Sequence, residues 1–179
     1  MAAPAAYLVT GIPGAGKTTV ARLLAQRFRR AVHVESDRLQ EMVVSGGLWP
    51  TPEMPAEAAR QLELRARNAA MLASNYAAAG FVAVVDDVVV SPGRLALYRE
   101  HLTARPLALV VLAPVLEVVL RRDEQRGYKR VGDTWSYLAD EQRAHLGGIG
   151  LWLDTGALTA EETVDAIVER TAAGEGDIG

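Results

Sequence analysis

Gly11-Ile12-Pro13-Gly14-Ala15-Gly16-Lys17-Thr18 is the stretch that decides the fold. Gly11, Gly16, Lys17 and Thr18 meet the pattern G-x-x-x-x-G-K-[ST]. The apolar run from Tyr7 to Thr10 precedes it and reads as a buried strand. After it, Val20, Leu23, Leu24 and Phe28 recur at helical spacing between Lys17 and Arg29. Strand, glycine-rich turn and amphipathic helix in that order form the context the motif needs. The glycines let the backbone curl so that successive N–H groups face the oxygens of a phosphate, and the helix N-terminus adds the positive end of its dipole. In this pattern Lys17 reaches the β- and γ-phosphates of a nucleoside triphosphate, and the Thr18 hydroxyl ligates Mg²⁺. Gly11, Pro13, Gly14, Ala15, Gly16, Lys17, Thr18 and Thr19 are therefore candidate nucleotide contacts, with ATP and Mg²⁺ as the expected cofactors.

The rest of the chain alternates apolar runs with helical patterns. Val32–Glu35, Phe81–Val85, Leu107–Ala113 and Leu151–Leu153 read as further strands. Helices are expected over 38–44, 55–79, 92–101, 115–126, 135–146 and 160–170, the longest carrying an apolar stripe of Leu62, Ala66, Ala69, Ala73 and Tyr76. The strands are continuous apolar runs, which implies burial on both faces. The expectation is a three-layer α/β/α sandwich around a five-stranded parallel sheet. At 179 residues, with no internal repeat or linker, 1–179 reads as one domain. The tail from Ala172 to Gly179 is expected to fray.

Composition removes several classes. A net charge of −3 gives no global positive field for nucleic acid or an anionic membrane. There is no cysteine, which excludes disulfides and thiolate metal sites. The run Leu107–Leu120, broken by Pro114 and Glu117, is too short to span a bilayer. MAAPAAYLVT lacks the features of a signal peptide, so a cytoplasmic location is expected. A GTPase would need a guanine-reading N-K-x-D stretch, which is absent; a motor or AAA-type ATPase would need a further helical domain.

On its phosphate loop and order of elements the chain resembles the P-loop kinases, in particular the chloramphenicol phosphotransferase-like, zeta-toxin-like and gluconate kinase-like groups. The resemblance implies the P-loop nucleoside triphosphate hydrolase fold of the kinase type and an ATP-dependent phosphotransferase, a kinase acting on an alcohol group of a metabolite or an antibiotic. In those families an Asp just after the second strand serves as base, and Val34-Glu35-Ser36-Asp37-Arg38 matches that position. Asp37 is thus the candidate base; capping of the following helix by Asp37 or Ser36 is the structural alternative. Asp86 closes an apolar run as a Walker B acid does and is preferred to Asp87 for the metal, beside Thr18.

Arg121, Arg122, Arg126, Lys129 and Arg130 crowd one segment. The resemblance implies a lid over 121–133, with Arg122 and Arg126 acting on the phosphates; a solvated surface is the alternative. The glycine- and proline-rich loop 45–55 lies on the acceptor side, with Arg38, Glu41 and Trp49, alongside Asp37, as candidate acceptor contacts; packing of Trp49 on the body of the protein is the structural alternative. The Leu153-Asp154-Thr155-Gly156 stretch is expected near the adenine or as a structural cap. His33, His101 and His145 show no metal spacing. A protein that binds ATP and sequesters a ligand, and a toxin-like kinase of a nucleotide sugar, are compatible with the same residues, as are a monomer and a homodimer.

Overall fold

In a computed structural model the described residues are 4–126 and 132–179, and the side chains of these except 122–126, 132 and 133. Five strands, β1 (Ala6–Thr10), β2 (Ala31–Glu35), β3 (Val82–Asp86), β4 (Leu107–Leu112) and β5 (Leu151–Leu153), pair in the order β2-β3-β1-β4-β5. All four pairings are parallel. The expected sheet is therefore present. The helices are α1 (Lys17–Gln26), α2 (Ser36–Glu41), α3 (Ala56–Ala78), α4 (Pro92–His101), α5 (Leu116–Arg126), α6 (Gly132–Trp135), α7 (Leu138–Leu146) and α8 (Ala160–Ala172).

The two faces of the sheet bury separate cores. On one, Tyr7, Val9, Val84 and Val110 pack with Val20 and Leu24 of α1 and Val164 and Ile167 of α8. On the other, Leu8, Val85 and Leu109 pack with Ala66, Ala69 and Ala73 of α3 and Leu95 and Tyr98 of α4. β1 and β4 are buried over their whole lengths, which is why they read as continuous apolar runs. The stripe of α3 is alanine-rich, and small side chains let its backbone lie close to the sheet. Tyr76 departs from the expected stripe: it is 39% exposed and meets Phe81 edge-on at 5.7 Å.

Two further expectations are corrected. The helix placed at 38–44 starts at Ser36 and ends at Glu41. Its N-cap is Glu35, without a side-chain cap bond, so neither Ser36 nor Asp37 caps it. The C-terminal tail is docked rather than frayed. Leu107 N–H donates to Gly179 O and Leu109 N–H to Gly176 O, and Ile178 N–H donates to Leu107 O. Ala108 and Asp177 form an antiparallel bridge. The physical reason is the shortness of β5, which pairs only with Val110–Leu112. The tail satisfies the β4 backbone that β5 does not reach.

β1 lies in the middle of the sheet, with β3 on one side and β4 on the other. Ligands of open α/β sheets bind beyond the carboxyl ends of the strands where the chain order reverses. The loop after β1, the ends of β2 and β3 and the starts of α1 and α2 converge there.

Candidate functional site

Gly14 and Gly16 show why the phosphate loop needs glycine. Gly14 has φ 89°, and a Cβ there would come within 2.7 Å of Val119 Cγ1 on α5. Gly16 has φ 94° and forms the left-handed N-cap of α1. An L side chain is strained in both conformations. α1 has no side-chain cap and no acidic residue in its first turn; α4 and α8, by contrast, are capped by Ser91 and Thr159. The first amides of α1 thus have no capping side chain competing with an anion, and the dipole favours one. Lys17 Nζ donates to Ile12 O at 3.1 Å, arching over the loop.

The adjacent aspartates Asp86 and Asp87 face opposite sides of the sheet. Val82 and Val84 pack on the α1 side, and strand alternation puts Asp86 on that side too. Asp86 Oδ2 lies 2.7 Å from His33 Nε2. Asp87 faces α3 and α4. Its Oδ1 accepts from Arg65 Nη2 at 2.6 Å and Ser36 Oγ at 2.8 Å, and its Oδ2 accepts from Tyr98 Oη at 2.9 Å. A buried carboxylate with three donors is a structural keystone; removing any donor leaves a buried charge undersatisfied. Burial, and then the negative charge of Asp87, push the Tyr98 hydroxyl well above its ordinary pKa.

Arg65 joins this keystone to Asp37. Its Nη1 donates to Asp37 Oδ1 at 2.9 Å. The guanidinium side chain is 7% exposed, the Asp37 side chain 55%. Burial pulls the Arg65 pKa down, but Asp87 and Asp37 more than reverse it, and the net shift is upward. Arg65 Nε is buried without a partner among the described residues. The sequence reading missed Arg65, although a signal existed. It falls on the buried stripe of α3 between Leu62 and Ala69, and a charge on an apolar face requires a buried partner.

Gln142 was missed for the same reason. It lies between Leu138 and Leu146 on the buried side of α7 and donates to Val89 O at 2.6 Å and Thr10 Oγ1 at 3.3 Å. Thr10 Oγ1 in turn accepts from Val89 N–H. This ties α7 to the residue preceding the phosphate loop.

A cavity of about 320 Å³ opens beside Arg65, between α2, α3 and the loop joining them. Gln61 holds that loop. Its Nε2 donates to Gly46 O at 2.8 Å, and its Oε1 accepts from Leu48 N–H at 2.8 Å and Gln40 Nε2 at 3.1 Å.

The candidate acceptor contacts disperse. Asp37 reaches the cavity region through Arg65. Arg38 is exposed and paired with Glu35 and Glu41. Trp49 is 43% exposed. Neither Arg38 nor Trp49 lines the cavity. Asp154 closes a local turn, accepting from Gly156 N–H at 2.9 Å. The lid side chains Arg122, Arg126, Lys129 and Arg130 lie outside the described residues; the backbone of Arg122 and Arg126 belongs to α5. Among the described residues no group of three or more His, Asp or Glu could hold a metal by itself. One hydroxyl and one carboxylate, Thr18 and Asp86, suit Mg²⁺, which commonly relies on a few protein oxygens together with substrate phosphates and water. Among the described residues, no helix is long and apolar enough to cross a membrane.

A family model described as an AAA domain matches residues 7–145, and the chain belongs to this family. The match runs from β1 to α7, the nucleotide-binding core. A UPF0200 protein of Aeropyrum pernix is 46% identical over 54 residues, which is 30% of this chain and 29% of that relative. The chain thus matches less than a third of that relative's length. The APS kinase of Mycobacterium tuberculosis, solved in complex with AMPPNP and APS, superposes with a TM-score of 0.69 at 16% identity, covering 96% of this chain and 99% of that one. The shikimate kinase of Acinetobacter baumannii, solved in complex with shikimate, gives a TM-score of 0.63 at 20% identity over 96% and 94%. At such identities the likeness is one of fold. That fold is the one shared by P-loop small-molecule kinases, the group the sequence resembles.

Proposed function

We propose that this chain, a member of the AAA-domain family with the fold of P-loop small-molecule kinases, is an ATP-dependent phosphotransferase acting on a hydroxyl of a small molecule. The observation that carries the reading is a half-exposed carboxylate, Asp37, held by a buried arginine beside a cavity at the phosphate-loop end of the sheet. In this reading 1–179 is one kinase domain, with the lid at 121–133 and the acceptor-side loop at 45–55.

The backbone N–H groups of 11–19, Pro13 excepted, would hold the triphosphate, and Lys17 would reach its β- and γ-phosphates. Thr18 and Asp86 would hold Mg²⁺, which would supply charge neutralisation and alignment of the phosphates. The acceptor hydroxyl gives its proton to Asp37 as its oxygen forms the bond to Pγ. The bond from Pγ to the bridging oxygen breaks in line, and ADP leaves. Arg122 and Arg126 close over the transferring group and stabilise its charge. Phosphoryl transfer rests chiefly on positioning and electrostatics, and the Arg65–Asp37 pair gives the base a fixed direction.

The test is ADP release with ATP and Mg²⁺ across a panel of hydroxylated metabolites and antibiotics. Acceptor-dependent ADP release is expected. Tight ATP binding with no release across the panel would overturn the reading in favour of a sequestering protein.

A further inference from the structure

The charges around the cavity select the chemical class of the acceptor, an argument that rests on the phosphotransferase reading. Among the described lining residues only Arg65 and Glu57 carry charge. Both terminal nitrogens of Arg65 are committed, one on Asp37 at 2.9 Å and the other on Asp87 at 2.6 Å, and its Nε, which has no partner among the described residues, is buried away from the cavity surface. Two carboxylates on one guanidinium leave an excess of negative charge around Arg65, although neither acid lines the cavity itself. At the outer end Glu57 accepts from Arg60 and from Gln61. Gln40 and Gln61 are neutral and already tied to the loop. Leu39, Val43 and Leu64 make the apolar part of the wall.

A carboxylate or phosphate on the acceptor would need an arginine with a free edge, because a desolvated anion is costly unless it is paired. Here it would meet a guanidinium already shared by two acids, and a third anion is repelled. An uncharged hydroxyl meets no such cost and can accept or donate at neutral polar groups.

We propose that the acceptor carries its hydroxyl on a molecule without negative charge, one that presents an apolar face to Leu39, Val43 and Leu64. Sugar acids and nucleotide sugars are excluded as preferred acceptors. The preference arises from two acidic residues and one basic residue that are far apart in sequence.

The experiment uses the full chain saturated with Mg²⁺ and a non-hydrolysable ATP analogue. Calorimetric titrations compare matched pairs: methyl glycosides with the corresponding uronic acids, and nucleosides with their 5′-monophosphates. The uncharged member of a pair is expected to bind at least about tenfold more tightly. Asp37→Asn, at a half-exposed position, is expected to narrow that ratio by releasing one side of Arg65. Equal or tighter binding of the acids overturns the inference, as does binding of neither member of any pair or a ratio unmoved by Asp37→Asn. ADP release with ATP itself is measured in parallel. Selective binding of the uncharged members without ADP release leaves the inference standing and overturns the phosphotransferase reading.

Discussion

Arg65 Nη1 lies 2.9 Å from Asp37 Oδ1. This contact joins a buried guanidinium on α3 to an exposed carboxylate on the first turn of α2. The same guanidinium is anchored through Nη2 to Asp87, whose side chain is 1% exposed. A planar fork can serve two carboxylates at once with defined geometry; an ammonium is a point charge that holds neither direction. The candidate base is thus oriented from inside the protein.

Arg65→Ala strands Asp87 with a buried charge and is expected to cost about 3–5 kcal/mol of stability. Arg65→Lys keeps the charge and is the more informative variant. It is expected to fold, with kcat lowered more than KM is changed. Urea unfolding and steady-state kinetics read the two effects separately. A Lys variant with unaltered kcat would remove the positioning role.

Asp37→Asn is expected to retain ATP affinity and to lower phosphoryl transfer by a factor on the order of 10²–10⁴. Its stability should change little, because the side chain is more than half exposed and such pairs contribute about 0–1 kcal/mol. Single-turnover kinetics on an accepted substrate check the first part, thermal unfolding the second. Full activity in the variant would sink the assignment of the base.

Gly14→Ala is expected to weaken nucleotide binding more than it weakens the fold. The new Cβ would sit 2.7 Å from Val119 Cγ1 on a backbone at φ 89°, so the loop or α5 must shift. Titration with a fluorescent ATP analogue measures the loss; unchanged affinity would show that the loop tolerates the side chain. Lys17→Ala should lose triphosphate binding or turnover in the same assay.

Asp86→Asn is expected to raise the Mg²⁺ concentration needed for half-maximal activity, while Asp87→Asn should act chiefly on stability. The opposite facing of the two residues is the reason. His33→Asn, which removes the 2.7 Å partner of Asp86, should alter the Mg²⁺ requirement without touching the phosphate loop. If Asp87→Asn shifts the Mg²⁺ dependence and Asp86→Asn does not, the metal assignment is reversed.

Tyr98 gives a pH signature. Its hydroxyl pKa is raised in the folded state, by burial first and by Asp87 second. Its contribution is therefore fully present below the unfolded value of about 10 and is lost as pH rises above it. Tyr98→Phe removes a donor to a buried carboxylate and should cost about 1–3 kcal/mol at neutral pH. Above pH 10 the gap between wild type and variant should shrink. A gap that stays constant between pH 8 and 11 contradicts the raised pKa.

The order of strands and helices was legible because each element carries its own local signal. β4 announces burial on both faces by its unbroken run of apolar residues, and the glycines at 11, 14 and 16 announce the turn. The places of Asp37 and Asp86 at the ends of β2 and β3 were legible because the apolar runs of those strands stop there. Two expectations failed where an outcome depended on a distant partner. Ser36 was a possible cap and instead donates to Asp87. The tail was expected to fray and instead completes β4, because β5 is too short to do so.

By itself, the sequence determined the phosphate loop, the doubly covered parallel sheet and the positions of the acids at the strand ends. These follow from periodicity, glycine stereochemistry and the run length of apolar residues, all local properties. Only the tertiary structure decided that Asp86 meets His33 while Asp87 meets Arg65 and Tyr98, that Arg65 is shared between Asp37 and Asp87, and that the cation lining the cavity beside it has both terminal nitrogens engaged, among the described lining residues. Those facts depend on which residues meet across α2, α3, α4 and β3. An arginine on an apolar helix face signals that a partner exists, but only packing selects which carboxylate it is.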